Sequence, residues 1–209
     1  MSWWTRPAPP DARRWVVLDV EASGLDPRRD RLLAIGAVAV CPAAEAPRIL
    51  LADSHEVVLR QPEAPADKAN VLVHGVGVGA QRAGMAPAEA LQGFERWVGT
   101  APVLAYHAGY DRTLIDRAMR AALGRRLARP WLDLAALLAL LHPQQGERAL
   151  DDWLVHYGLH CVARHRAAAD ALVTAELLLR LWPELRARRL ATDWDTLARA
   201  AGSLRWLGR

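Results

Sequence analysis

The stretch from Trp15 to Val40 carries two acidic residues inside a strand pattern that is otherwise apolar. Asp19 and Glu21 stand two residues apart, among Trp15-Val16-Val17-Leu18 and Val20. Because successive side chains of a strand point to opposite faces, both carboxylates face the same side. A strand that is apolar on both faces is usually buried on both faces. Buried paired carboxylates are costly unless a cation compensates them, and oxygen ligands select hard cations such as Mg²⁺ or Mn²⁺. The alternative is a strand that ends at the surface, where water solvates both acids.

Length, composition and charge bound the class of protein. The chain has 209 residues, 52% of them hydrophobic, which predicts one domain with an ordinary core. The net charge of +4 is compatible with a polyanionic partner but does not require one. The two cysteines form no CxxC pair, no apolar run reaches transmembrane length, and the N-terminus lacks the apolar core of a secretory signal. We therefore expect a cytoplasmic protein with no membrane association.

The order of predicted elements indicates an α/β fold with a mixed sheet. Residues 1–14, which contain three prolines and three arginines, are interpreted as a flexible basic arm. Strands over about 15–22, 32–40 and 56–60 follow one another closely, which predicts an antiparallel meander. The later elements, in chain order, are predicted as a helix at 87–98, a strand at 102–106, a helix at 109–123, a short strand at 131–132, helices at 134–141, 150–157 and 167–181, and one or two helices within 184–207.

Asp111 follows the fourth predicted strand, in the segment LAYHAGYDRTLIDRA. It falls at the start of a helix beyond the carboxyl end of that strand, where open α/β sheets place their ligands. The alternative is an ordinary acid of a first helical turn, which the helix dipole favours. This position alone does not decide between a ligand and a helix-terminal acid.

Asp170 and His165 form the third candidate group. Alanines and a leucine surround Asp170 in ARHRAAADALVTAELL, which predicts a buried helical position for this acid. His165 precedes it by five residues, so on one helix the two side chains would diverge by about 140°. They converge on one site only if His165 lies on the loop before the helix. The alternative for His165 is a solvated loop histidine between two arginines.

The four acids and the histidine together form a coherent catalytic set. Four carboxylates can hold two divalent cations about 4 Å apart, the spacing of two-metal phosphodiester chemistry. A histidine that titrates near neutral pH can take the proton from the attacking water.

Three blocks of sequence resemble the motifs of the DEDDh 3′–5′ exonuclease family, which is DnaQ-like and includes the proofreading subunit of the bacterial replicative DNA polymerase. The first is Asp19-Val20-Glu21-Ala22-Ser23-Gly24-Leu25, the second Ala105-Tyr106-His107-Ala108-Gly109-Tyr110-Asp111, and the third His165-Arg166-Ala167-Ala168-Ala169-Asp170. Val73-His74-Gly75-Val76 resembles a His-Gly-Ile loop that often lies between the first two motifs. The resemblance covers about residues 15–182, with the order and spacing of the family.

This resemblance implies a ribonuclease-H-like fold, with a central mixed five-stranded sheet flanked by helices. It implies two Mg²⁺ or Mn²⁺ ions per site on Asp19, Glu21, Asp111 and Asp170, with His165 as general base. Substrate contacts are implied at Ala22, Ser23, Gly24, Leu25, His74, Tyr106, His107 and Tyr110. The sequence departs from the family where Ala22-Ser23 replaces two threonines and Tyr106-His107 replaces His-Asn, which affects substrate choice more than chemistry.

We therefore predict a metal-dependent 3′–5′ exonuclease that acts on single-stranded nucleic acid, with DNA favoured, and releases nucleoside 5′-monophosphates. Two alternatives remain: an exonuclease for RNA or short oligoribonucleotides on the same scaffold, and a non-catalytic polymerase-associated module. A polymerase or other protein partner and a homodimer also stay open. Residues 15–182 are predicted as the exonuclease domain, and 183–209 as a helical extension packed on it.

Overall fold

The computed structural model describes residues 13–61, 75–190 and 193–207. The predicted arm over residues 1–14 falls outside these ranges except for its last two residues. The strands are β1 (Trp15–Ala22), β2 (Leu32–Cys41), β3 (Arg48–Val58), β4 (Val103–Ala105) and β5 (Trp131–Asp133). The helices are α1 (Val78–Ala83), α2 (Pro87–Val98), α3 (Ala108–Leu123), α4 (Leu134–Leu141), α5 (Leu150–His156), α6 (Ala167–Ala187) and α7 (Trp194–Leu207). None of the described helices combines the length and the apolar composition that a membrane crossing needs.

The five strands form one mixed sheet in the order β3-β2-β1-β4-β5. β1 pairs antiparallel with β2, and β2 pairs antiparallel with β3. β4 runs parallel to β1, and β5 runs parallel to β4. The predicted meander and the predicted mixed five-stranded sheet flanked by helices are therefore confirmed. β1, which carries the two strand acids, lies at the centre of the sheet.

The side chains of β1 alternate between two hydrophobic cores. Trp15 and Val17 pack in a core built with α4 to α7, whereas the even-numbered apolar residues of the strand pack in a core built with α2 and α3. Asp19 and Glu21 continue the odd-numbered face, on which α6 lies. The period of two predicted from the sequence thus places both carboxylates beneath one helix.

Three sequence predictions of secondary structure were wrong. β3 begins at Arg48 rather than near 56. The sequence did not predict its first half because those residues are largely exposed and show no clear alternation of apolar and polar side chains. No element was predicted between residues 60 and 87, where the structure contains the short helix α1. α6 continues through Pro183 to Ala187 instead of ending before the proline. The buried residues Trp182 and Leu185 flank that proline, so packing against the core offsets the lost backbone hydrogen bond.

The C-terminal helix α7 packs into the same core as β1. Asp193 caps it, since its carboxylate accepts hydrogen bonds from the backbone N–H and the hydroxyl of Thr196 at 2.8 Å each. Trp194 packs edge-on against Trp15, with ring centroids 5.3 Å apart. Leu197 is buried in that core as well.

Gly36 of β2 is the point at which α6 comes closest to the sheet. Gly36 pairs with Asp19 across the β1–β2 ladder. A Cβ atom on Gly36 would lie 2.1 Å from the backbone nitrogen of Ala168 and 2.2 Å from the carbonyl carbon of Ala167. Only a residue without a side chain lets the first turn of α6, and with it Asp170, approach β1 so closely.

We expect Gly36→Ala to destabilise the protein by about 1–3 kcal/mol, because the added methyl group forces the first turn of α6 away from the sheet. Urea unfolding of the variant and the wild type measures this difference. Gly93→Ala is the matched control, since a Cβ at Gly93 on α2 meets nothing within 4 Å. Equal stability of Gly36→Ala and the wild type would contradict the close approach described here.

Candidate active site

Three of the predicted acids converge at the carboxyl end of β1. Asp19 and Glu21 come from the strand, and Asp170 comes from the first turn of α6. Each offers a carboxylate oxygen, and the three oxygens lie within 4.8 Å of one another. Glu21 and Asp170 are buried, with exposed fractions of 8% and 4%. We call this cluster the acid trio.

Asp111 lies beside the acid trio, in the first turn of α3. It is 3% exposed, and the backbone N–H of Val20 on β1 is near enough to favour its charged form. Burial raises the pKa of Asp111 well above its usual range, and the neighbouring Asp19 raises it further. Among the described residues, only the acids of the trio have carboxylate oxygens that all lie within 4.8 Å of one another, so Asp111 stands just outside the trio. Because Asp19 affects its pKa, Asp111 adjoins the trio on the side of Asp19.

His165 lies on the loop that precedes α6, as its convergence with Asp170 requires. Its backbone N–H donates a hydrogen bond of 2.9 Å to Oδ2 of Asp170, and its side chain is exposed. Its φ of 61° lies in the left-handed region, which is uncommon for a residue other than glycine. The hydrogen bond to Asp170 is one contact that holds the loop in this conformation.

The acid trio fits a divalent cation. Oε1 of Glu21 is buried and has no hydrogen-bond partner among the described residues. Buried polar atoms normally have such a partner, so this oxygen is available to a ligand. A set of carboxylate oxygens without nitrogen or sulfur ligands matches Mg²⁺ or Mn²⁺.

The trio is also a region of electrostatic strain. Burial raises the pKa of Asp19 to about 8, with a further contribution from Asp170. Burial likewise raises the pKa of Glu21 to about 8, with Asp19 and Asp170 adding to the rise. The guanidinium of Arg164 opposes both shifts. A bound cation would relieve the same repulsion.

These shifts predict how the stability of the metal-free protein depends on pH. Carboxyls of unfolded chains titrate near 4, so the raised pKa values mean that the folded state retains protons that the unfolded state has lost. The stability contributed by Asp19 and Glu21 is fully present below about pH 4 and is lost as the pH rises through about 8.

We therefore expect Asp19→Asn to stabilise the metal-free protein, and to do so more at about pH 9 than at about pH 6. Melting temperatures of both proteins in EDTA across this range measure the effect. A difference in melting temperature that does not grow with pH would contradict the raised pKa values.

The β1–β2 loop holds four of the predicted substrate contacts, from Ala22 to Leu25. The hydroxyl of Ser23 donates to Oδ1 of Asp30 at 3.0 Å and accepts from the backbone N–H of Arg31 at 2.9 Å. The side chain of Leu25 is 93% exposed. The loop is thus internally braced, and it presents an apolar side chain to solvent four residues after Glu21 in the chain.

Helix α3 fixes this loop from the other side. The hydroxyl of Tyr110 donates a hydrogen bond of 2.6 Å to the carbonyl of Gly24. The guanidinium of Arg117 donates to the carbonyls of Pro27 and Asp30, at 2.6 and 2.9 Å. Tyr110, predicted to contact substrate, therefore holds the loop that carries Leu25, and Arg117 is a positioning residue that the sequence pattern did not reveal.

Tyr106 and His107 form the turn between β4 and α3. The hydroxyl of Tyr106 donates to the carbonyl of Arg148 at 2.6 Å. His107 has a φ of 57°, and its backbone N–H donates to Oδ1 of Asp133 at 3.0 Å. Asparagine tolerates the left-handed region well. This gives a physical reason for the asparagine that the exonuclease motif usually carries at the position of His107. The imidazole of His107 is exposed beyond this turn.

One predicted substrate contact remains, and two other side chains make contacts that the sequence did not predict. His74 lies outside the described residues. Cys161, which belongs to no CxxC pair, has its Sγ 3.4 Å from Oδ1 of Asp170. Asp116 of α3 is 7% exposed, and its Oδ1 accepts a hydrogen bond from the backbone N–H of Leu127.

Comparison with known proteins adds a family to this geometry. The family model described as Exonuclease (RNase_T) matches residues 16–178, which include all the acids of the site and His165. A DNA polymerase III subunit epsilon-like protein of Rhodobacter capsulatus is 30% identical over 187 residues, covering 88% of this chain and 26% of that protein. A PolC-type DNA polymerase III of Thermotoga petrophila is 28% identical over 168 residues, covering 79% of this chain and 12% of that protein. The chain thus spans about a quarter or less of the length of these relatives.

Solved structures of nucleases share the fold. Escherichia coli exonuclease I in complex with a dT13 oligonucleotide superposes with a TM-score of 0.68 at 16% identity, over 84% of this chain and 43% of that chain. Cell-death related nuclease 4 superposes with a TM-score of 0.70 at 14% identity, over 83% of this chain and 64% of that chain. At these identities the likeness establishes the architecture, which confirms the predicted ribonuclease-H-like fold.

Proposed function

This chain belongs to the exonuclease family whose model it matches, and from that premise we propose that it is a metal-dependent 3′–5′ exonuclease acting on single-stranded nucleic acid, with DNA favoured. The observation that carries the proposal is the acid trio, with Asp111 beside it and the exposed His165 on the adjoining loop. Buried acids with raised pKa values in one cluster are typical of catalytic sites.

We propose that Asp19, Glu21, Asp111 and Asp170 hold two divalent cations, Mg²⁺ or Mn²⁺. Such ions, when bound, would activate the attacking water and offset the charge that develops on the phosphate and on the leaving 3′ oxygen. The unpartnered Oε1 of Glu21 and the mutual repulsion of the carboxylates support this assignment.

His165 would act as the general base. It is exposed, so its imidazole can reach a water molecule at the open side of the site, and its backbone is tied to Asp170. Asp170 would thereby serve twice, as a metal ligand and as the anchor of the loop that carries the base. A positioned base of this kind contributes about 10²–10⁴-fold to a rate.

The β1–β2 loop supports a single-stranded end as substrate. The exposed Leu25 lies on a loop that Tyr110 and Arg117 brace, so it offers a fixed apolar contact to an unpaired base. A single-stranded end leaves the face of its terminal base free to pack against such a side chain. We propose that Ala22, Ser23, Gly24, Leu25, Tyr106, His107 and Tyr110 line or position this binding surface, and that His74 contributes to it.

The curated relatives support two further proposals. Their names describe subunits or types of DNA polymerase III, which favours DNA as substrate and a polymerase as partner.

We also propose that residues 15–182 form the exonuclease domain and that 183–209 belong to it as an extension, since α7 packs against Trp15 in the shared core.

Digestion of 5′-labelled single-stranded DNA and RNA of equal length, with Mg²⁺, Mn²⁺ or EDTA, tests the proposal. We expect a metal-dependent ladder that shortens from the 3′ end, nucleoside 5′-monophosphate as product, and faster shortening of DNA. Faster shortening of RNA would select the alternative substrate. No shortening of either strand with any metal would contradict the proposed activity.

A further inference from the structure

Arg164 links an exposed acid to the buried acid trio. Its Nε donates to Oδ1 of Asp151 on α5 at 2.6 Å, and its Nη2 lies 3.4 Å from Oδ2 of the same carboxylate. Its Nη1 donates to Oδ1 of Asp170. The side chain of Asp151 is 61% exposed and that of Asp170 only 6%, so the guanidinium reaches from solvent into the site.

Both oxygens of Asp170 are therefore engaged by the protein. Oδ1 accepts from Arg164 and from the thiol of Cys161, and Oδ2 accepts from the backbone N–H of His165. A divalent cation on the trio would lie close to the guanidinium, and two cations in so small a space repel each other strongly. Arg164 and such a cation therefore compete for the charge of Asp170.

Arg164 has a second partner, Asp151, that can hold its guanidinium after the contact to Asp170 is lost. Asp151 belongs to α5 and stands outside the trio, so its ion pair with Arg164 does not depend on Asp170. The guanidinium can release Nη1 from Asp170 and keep its contacts to Asp151 through Nε and Nη2. Arginine suits this arrangement because its several donors can serve two carboxylates at once.

We propose that Arg164 is an exchangeable counter-cation of the active site. In the metal-free protein it neutralises Asp170, and when a divalent cation occupies the trio its guanidinium withdraws to Asp151. This inference rests on the proposed metal site. It assigns Arg164 a positioning role that sets how much metal the enzyme needs, and it assigns Asp151 the role of the retained anchor.

The exchange has a signature that a purely structural ion pair lacks. Removing the guanidinium should weaken the metal-free protein, because the buried acids then repel one another without compensation. It should leave the metal-bound protein nearly as stable as before, since Arg164 no longer touches Asp170 in that state. A purely structural role would lower the stability of both states equally.

The test measures Mn²⁺ binding by calorimetry and melting temperatures in EDTA and in saturating Mn²⁺, without substrate. We expect Arg164→Gln to bind Mn²⁺ on the order of tenfold more tightly than the wild type. Its melting temperature should be lower in EDTA and close to that of the wild type in Mn²⁺. Arg164→Lys, which keeps the positive charge, should bind Mn²⁺ nearly as the wild type does.

Two neighbouring acids of α5 provide the matched pair of controls. Asp151→Asn removes the anchor, so Arg164 has no alternative partner and Mn²⁺ binding should weaken several-fold. Asp152→Asn removes the same charge one residue away, where the carboxylate caps α5 through the backbone N–H of Ala149. This second variant should leave the Mn²⁺ affinity within about twofold of the wild type.

The outcomes separate this inference from the proposed function. Wild-type protein that binds Mn²⁺ no better than Asp19→Asn would overturn the metal site and the exchange together. Wild-type binding at the trio, with equal or weaker binding by Arg164→Gln, would overturn the exchange and leave the proposed function standing. Should Arg164→Gln fail to fold, equal affinities of Asp151→Asn and Asp152→Asn would overturn the exchange on their own.

Discussion

Asp19→Asn is expected to lower the turnover of single-stranded DNA at least about a thousandfold while the protein stays folded. Asparagine keeps the size of the side chain but removes the negative charge that holds a divalent cation. Charge stabilisation by such a cation amounts to several kcal/mol in the transition state, and each 1.36 kcal/mol is about a factor of ten in rate. Asp19 lies close to both Glu21 and Asp111, since its charge raises the pKa of each.

Steady-state turnover of a labelled oligonucleotide in saturating Mg²⁺ measures this loss, and circular dichroism verifies the fold. Asp116→Asn is the matched control, because Asp116 is also buried but lies outside the acid trio, with its carboxylate on the backbone N–H of Leu127. We expect this control to keep its activity. Turnover of Asp19→Asn within tenfold of the wild type would refute the proposed role of the acid trio.

The acid trio could be predicted from the sequence because its charged side chains stand in segments that are otherwise apolar. Asp19 and Glu21 stand on an apolar strand, and Asp170 stands in an apolar helix, so each is costly without a ligand. The period of a strand then gave the common face of the first two, and the structure confirms it. The place of Asp111 after a strand left a ligand and an ordinary helix-terminal acid both open, and the resemblance to the exonuclease motifs singled it out as a ligand.

Contacts between segments that are distant in sequence could not be predicted in the same way. Arg117 holds carbonyls about ninety positions earlier in the chain, and nothing in the local pattern marks it. Arg164 was interpreted only as a neighbour of His165, since its two carboxylates lie on different helices. The helix through Pro183 shows the same limit, because the burial of Trp182 and Leu185 outweighs a local preference.

The second large effect is expected at His165, where asparagine should lower turnover by about 10²–10⁴-fold through loss of the general base. Asparagine is chosen because His165 has a φ of 61°, and asparagine tolerates this conformation better than alanine does. The backbone hydrogen bond to Asp170 then remains, so Mn²⁺ affinity and melting temperature should match the wild type. Turnover would fall without any loss of metal.

His160→Ala is the control for this prediction, since His160 is an exposed histidine on the same loop. We expect it to keep its turnover, because the imidazole of His160 is not the group that takes the proton from the attacking water. Turnover of His165→Asn within a few-fold of the wild type would show that another group takes the proton. A parallel loss of Mn²⁺ affinity would instead assign His165 to the support of Asp170, because its backbone N–H is one of the contacts that join this loop to the acid trio.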